Sequence, residues 1–202
     1  MLTNMLNSQT RRRARNLQFD SEAGITIMEM VAAMMVLTVG LLGLAASIGY
    51  AVTVSNRGRN LTNTKLVAVS LLEQMETLRN TQQLTFGQIA NTGAVDNSEA
   101  TWNFAGFPTG YQLLSKNPGP DGIFGTSDDF ISPGADNVYG TGDDFTDSSL
   151  AIAGYSREVV ISNLSSSLKR IQVTVRYPDG GGQLRNLVAI SYLNNDARKT
   201  FR

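Results

Sequence analysis

Two sets of carboxylates stand where carboxylates are costly. Glu29 lies near the start of a nearly unbroken apolar run that reaches Val54, and a charge at membrane depth marks a functional position by default. Farther along, Asp121, Asp128, Asp129, Asp136, Asp143, Asp144 and Asp147 fall within Asn117 to Ser156, a stretch without a single Lys or Arg. Carboxylates crowded into one loop repel each other unless a cation joins them.

The acidic loop is an internal duplication. Asp121-Gly122-Ile123-Phe124-Gly125-Thr126-Ser127-Asp128-Asp129-Phe130 recurs fifteen residues later as Asp136-Asn137-Val138-Tyr139-Gly140-Thr141-Gly142-Asp143-Asp144-Phe145. Calcium is the cation expected here, because it accepts six to eight oxygen ligands from carboxylates, carbonyls and water in flexible geometry. Asp121, Asp128, Asp129, Asp136, Asp143 and Asp144 are the candidate ligands, with Thr126 and Thr141 in support and Phe124 and Tyr139 as anchors. Magnesium fits less well, since it prefers near-octahedral sites that retain water. The spacing departs from the EF-hand template. The competing reading is a solvated loop in which Asp serves as a turn former.

The inventory excludes several other chemistries. With no Cys and no His, there is no thiolate nucleophile, disulfide, Cys/His zinc site or imidazole base. The adjacent pairs Asp128/Asp129 and Asp143/Asp144 sit in Gly-rich turns with no apolar pocket to raise one pKa, so no enzyme is expected. Lys plus Arg and Asp plus Glu both number 17, so no basic excess points to nucleic acid.

These residues must be positioned by a small set of elements. A chain of 202 residues has room for one membrane span and one modest globular domain. Met30 to Val54 exceeds the roughly 20 apolar residues a bilayer requires, and Arg11, Arg12, Arg13 and Arg15 precede it as cytoplasmic charges. Gly40, Gly43 and Gly49 would let neighbouring helices approach closely. Beyond Val54 the pattern becomes amphipathic: Leu61, Thr64, Ala68, Leu71, Met75 and Leu78 form a stripe with Lys65, Glu73, Glu76 and Arg79 off it. The helix is expected to run from Ile25 to about Asn80, loosened at Asn56 to Asn60. Period-two alternation predicts strands over Arg157 to Asn163, Lys169 to Tyr177 and Leu184 to Leu193, with a further strand near Thr101 to Ala105. The fold class is therefore α+β: a long N-terminal helix, half membrane-spanning and half amphipathic, packed on a C-terminal antiparallel sheet.

The run Gly24-Ile25-Thr26-Ile27-Met28-Glu29 resembles the prepilin cleavage and methylation motif of type IV pilins and type II secretion pseudopilins, with Ile in place of the usual Phe. Val39 to Ala45 resembles the PilV-type minor pilins. The resemblance implies a leader of residues 1–24 cut after Gly24 by a prepilin peptidase and an N-methylated Ile25. It also implies an assembly helix over 25–55, an amphipathic helix and connector over 56–98, and a head over 99–202 carrying the acidic loop 117–147. Other pilin or pseudopilin subunits are the implied partners, first in the inner membrane and then in a fibre. Glu29 is implied to pair with the terminal ammonium of a neighbour. A buried charge persists only when paired, and breaking such a pair costs about 3–5 kcal/mol, so Glu29 can set the register of assembly. A minor pseudopilin, or an anchored calcium-binding surface protein that never polymerises, are the alternatives.

Overall fold

The computed structural model describes residues 25–195. Gly24 and the arginine cluster at 11–15 lie outside the described residues.

One helix, α1, spans Ile27–Asn80. Among the described residues it alone is long and apolar enough to cross a membrane. The chain divides into two units at residues 47 and 48. In the first, every residue from Ile25 to Ser47 is exposed, the condition of a segment whose solvent is something other than its own protein. In the second, α1 buries Thr64, Ala68, Leu71, Met75 and Leu78 at intervals of three and four, which keeps them on one side of a 3.6-residue turn. Leu61, expected on that stripe, is 47% exposed, so the buried face begins one turn later.

Asn56 to Asn60 does not loosen the helix, which runs through Gly58 unbroken. A helical glycine costs only about 1 kcal/mol relative to Ala. External contacts hold this stretch as well: Asn60 Nδ2 donates to Pro178 O at 2.9 Å, and a Cβ on Gly180 would fall 2.8 Å from the Arg57 side chain.

The sheet is antiparallel, in the order β1 (Gln112–Ser115), β4 (Ala151–Ser165), β5 (Leu168–Pro178), β6 (Leu184–Asn194). The duplicated loop contributes a separate pair, β2 (Ile131–Ser132) and β3 (Phe145–Thr146). The three late strands are those the alternation predicts, each somewhat longer. Their inward residues Val159, Ile171, Val173, Val175 and Leu193 join Ala68, Leu71, Met75 and Leu78 of α1 in one core with Phe104, Phe107 and Ile123. Burying each of the larger side chains among them contributes roughly 1.5–3 kcal/mol.

Thr101 to Ala105 is not a strand. Its alternation has another origin: Phe104 turns in to meet Phe107 edge to face at 5.3 Å, while Trp102 lies against Phe104 at 5.7 Å. The backbone is held by side chains instead of a ladder. Buried Gln88 donates to Trp102 O at 2.7 Å, and Asn97 Oδ1 accepts from Phe104 N at 3.0 Å. Where β1 stops, Asn91 continues the pairing on β4, donating to Val159 O at 2.8 Å and accepting from Ile161 N at 2.8 Å. Lys169, on the inward face of β5, ties the same connector to the sheet by donating to Phe86 O at 2.5 Å and Ile89 O at 2.8 Å, with its ammonium 4.6 Å from the Phe86 ring centre.

Candidate functional site: two copies of one acidic loop and a capped helix start

The duplication in sequence is a duplication in backbone. Gly119, Gly122 and Gly125 adopt φ of 71, 71 and 103°, and the residues fifteen positions on, Gly134, Asn137 and Gly140, adopt 66, 54 and 87°. Positive φ disfavours any residue with a Cβ except, to a degree, Asn. Asn137 is therefore the one tolerable replacement in the series.

The hydrogen bonds repeat as well. Asp121 Oδ1 accepts from Ile123 N and Asp136 Oδ1 from Val138 N, each at 2.8 Å. Thr126 Oγ1 donates to Ile123 O and to Asp128 Oδ1, and Thr141 Oγ1 likewise to Val138 O and Asp143 Oδ1. Asp129 Oδ2 accepts from Gly125 N at 3.0 Å, and Asp144 Oδ2 from Gly140 N at 2.7 Å. Pro118-Gly119 and Pro133-Gly134 open the two copies, and at each glycine a Cβ would fall 2.4 Å from the Asp128 carbonyl oxygen or Asp143 Oδ2. The conserved geometry is thus an Asp-rich turn stitched by its own backbone amides.

The copies differ in what surrounds them. In the first, Ile123 is fully buried in the core and Asp129 is 0% exposed. Arg157 on β4 donates from Nη2 to Asp129 Oδ2 at 2.9 Å and from Nη1 to Leu113 O at 3.1 Å. Arg157 is the counter-charge missing from residues 117–156. It lies one residue past that stretch and arrives through the sheet. In the second copy, Val138 is 55% and Phe145 53% exposed, and Asp144 Oδ1 is a buried oxygen with no hydrogen-bond partner. The anchors also differ from expectation: Ile123, not Phe124, plugs the core, while Tyr139 Oη is tethered by Asn117 Nδ2 at 2.8 Å.

Electrostatics follow the surroundings. Half-burial, chiefly, pushes Asp121 up to about 6, with the charges of Asp128 and Asp129 adding to it. Asp143 is held below the ordinary carboxylate range, first by the Thr141 hydroxyl and then by the Ala135 amide. The six candidate ligands do not converge. Among the described residues no three acidic side chains form a group able to hold a metal. In the first copy Asp129 is occupied by amides and a guanidinium, which does not fit a metal ligand. In the second, the orphaned Asp144 oxygen fits an oxygen-seeking cation whose remaining ligands are carbonyls and water.

At the other end of the described residues, Thr26 immediately precedes and caps α1. Its hydroxyl accepts from Glu29 N at 3.3 Å and its carbonyl accepts from the same amide at 3.0 Å. Thr-x-x-Glu at a helix start is the capping-box pattern, and a carboxylate in the first turn suits the helix dipole. Thr26 is therefore a cap that hydropathy did not reveal, and Glu29 stands at the third position after it, in the first turn. Ile25 is 77% exposed immediately before it.

No protein-family model, curated protein or solved structure matches this chain.

Proposed function

We propose that this chain is a fibre subunit of the type IV pilin and pseudopilin class, best read as a minor pilin. It is made as an inner-membrane precursor, cut after Gly24 by a prepilin peptidase, N-methylated on Ile25 and drawn into the fibre by its N-terminal helix. The observation that carries the reading is the composition of α1. A fully exposed apolar half begins two residues beyond the proposed cut, has Glu29 in its first turn, and continues into a half whose stripe from Thr64 to Leu78 is buried in the head. The role is mechanical, not catalytic.

Register follows from charge. The new ammonium on Ile25 and the carboxylate of Glu29 from an adjacent subunit neutralise each other only when the helices are correctly offset, because either charge alone in an apolar bundle is penalised. Glu29→Ala should insert in the membrane normally yet enter fibres poorly; fibres containing the variant at the normal level would overturn this. A minor pseudopilin of type II secretion would share every one of these steps. An anchored, non-polymerising calcium-binding surface protein would keep residues 1–24 or be cut at some other bond.

Calcium belongs to the same proposal at the second copy, with the free Asp144 oxygen as its carboxylate ligand and carbonyls and water as the rest. Binding only the folded state would stabilise the head by linkage and clip a loop long enough to need a clip. Chelation should lower the melting temperature of the protein; an unchanged melt with no bound metal would count against the ion.

A further inference from the structure

The outer face of the sheet carries a patch that the head leaves uncovered. With Val159, Ile171, Val173, Val175 and Leu193 turned into the core, the alternate residues of β4, β5 and β6 face away from it. Val160 is 40%, Val188 53%, Ile190 47% and Tyr192 61% exposed. Register places Arg170 of β5 directly between Ser162 and Tyr192, and the neighbouring Gln172 between Val160 and Ile190. The Arg170 guanidinium donates to Gln172 Oε1 at 2.7 Å, and no carboxylate pairs with it among the described residues; the ion pairs there are Arg157–Asp129 and Arg185–Asp179. The patch sets an arginine and a tyrosine, residue types enriched at the centres of protein interfaces, among exposed aliphatic side chains.

The same head carries the complement. The second copy of the acidic loop presents exposed Val138 and Phe145 beside exposed Asp136 and Asp143. The first copy demonstrates how such a loop attaches to a sheet: its apolar residue Ile123 enters a recess and its Asp129 meets an arginine from β4. Val138 stands where Ile123 stands in the repeat. A single calcium ion leaves the loop acidic, since seven Asp and no Lys or Arg lie between 117 and 156.

We propose that the second acidic copy of one chain docks on the outer sheet face of a second copy of the same chain, with Val138 against Ile190 and Tyr192 and the Asp136/Asp143 side facing Arg170. Two different patches meet, so the contact is heterologous and leaves one of each free on every dimer. Contacts of that kind extend into rings or filaments. The inference deepens the fibre reading by naming a head-to-head contact, and the two fail separately: a chain cut after Gly24 without this contact retains the first, and this contact in an uncut chain retains the second.

The chain has no cysteine, so a short bismaleimide can be aimed. Full-length Val138→Cys and Tyr192→Cys chains are reconstituted together in lipid vesicles and compared with each alone. The mixture should crosslink to a dimer and each alone should not, and the doubly substituted chain should give a ladder. Arg170→Glu in the Tyr192→Cys chain should cut the yield about tenfold, as like charges brought together do, and Asp136→Arg in its partner should restore it. Raising the salt to 1 M should weaken the unaltered pair by screening, a readout that needs no charge variant. Val138→Cys crosslinking with itself would overturn the proposal by showing a symmetric contact. So would a mixed yield no greater than that of Val138→Cys with Ser98→Cys, an exposed position at the end of the connector.

Discussion

The first and second copies of the acidic loop share backbone dihedrals and internal hydrogen bonds, yet one is core and the other is surface. The first buries Ile123 and closes Asp129 on Arg157. The second exposes Val138 and leaves Asp144 Oδ1 without a partner. A turn motif of this kind is therefore self-sufficient in shape, and its role is set by which cation and which apolar recess it meets. Within one chain one ten-residue motif serves once as a structural plug and once, on our reading, as a presented surface.

The largest expected effect separates the copies by their counter-charge. Arg157→Met strands a fully buried carboxylate, for which about 3–5 kcal/mol is typical, and urea titration of the protein should register it. Arg157→Met combined with Asp129→Asn should recover part of that loss, because the neutral side chain keeps an oxygen for the Gly125 and Thr126 amides. Asp144→Asn in the second copy should cost little in chelator, and equal losses from the two copies would break the comparison.

A second pair of variants tests whether the backbone is equally demanding in both. Gly119→Ala and Gly134→Ala each force a Cβ to 2.4 Å from an oxygen at positive φ. Strain of this type costs of order 1–3 kcal/mol. The loss should be nearer the upper end for Gly119, where the loop is fixed in the core, because the exposed second copy can shift to relieve the contact.

Acid titration sharpens the electrostatic difference. Asp121 is raised from 3.8 to about 6, so the folded state holds that proton more tightly and this carboxyl favours folding less as pH rises from 4 to 6. Asp143 is lowered, so its contribution is present above about 4 and is lost as pH falls below that value. In chelator, Asp121→Asn should flatten the stability profile between pH 4 and 6, whereas Asp143→Asn should alter it only at lower pH. The smallest effect concerns Asn137, whose φ of 54° suits glycine: Asn137→Gly should change the melting midpoint by less than the shift that about 1 kcal/mol produces.

Much of this architecture could be read from sequence because it is local. Apolar runs and 3.6-residue spacing announced α1, alternation announced β4, β5 and β6, and self-similarity announced the loop. What was hidden depends on partners distant in the chain. The four residues of β1 are too few to show a period, and β2 and β3 exist only because two copies of the repeat pair with each other. The counter-charge on Asp129 comes from 28 positions away. A signal for it did exist: Arg157 shares the inward register of Val159 and Ile161, as Lys169 shares that of Ile171 and Val173, and a cation on an apolar face requires an acceptor inside. Thr101 to Ala105 misled for the converse reason, since two aromatics spaced two apart look the same whether a ladder or the side-chain amides of Gln88 and Asn97 hold the backbone.

The central claim is that the chain is a processed fibre subunit, and the mature N-terminus tests it most directly. Mass spectrometry of the protein from cells with and without the prepilin peptidase should find N-methylated Ile25 only when the peptidase is present. An intact leader in both strains would contradict the account and leave a membrane-anchored surface protein in its place.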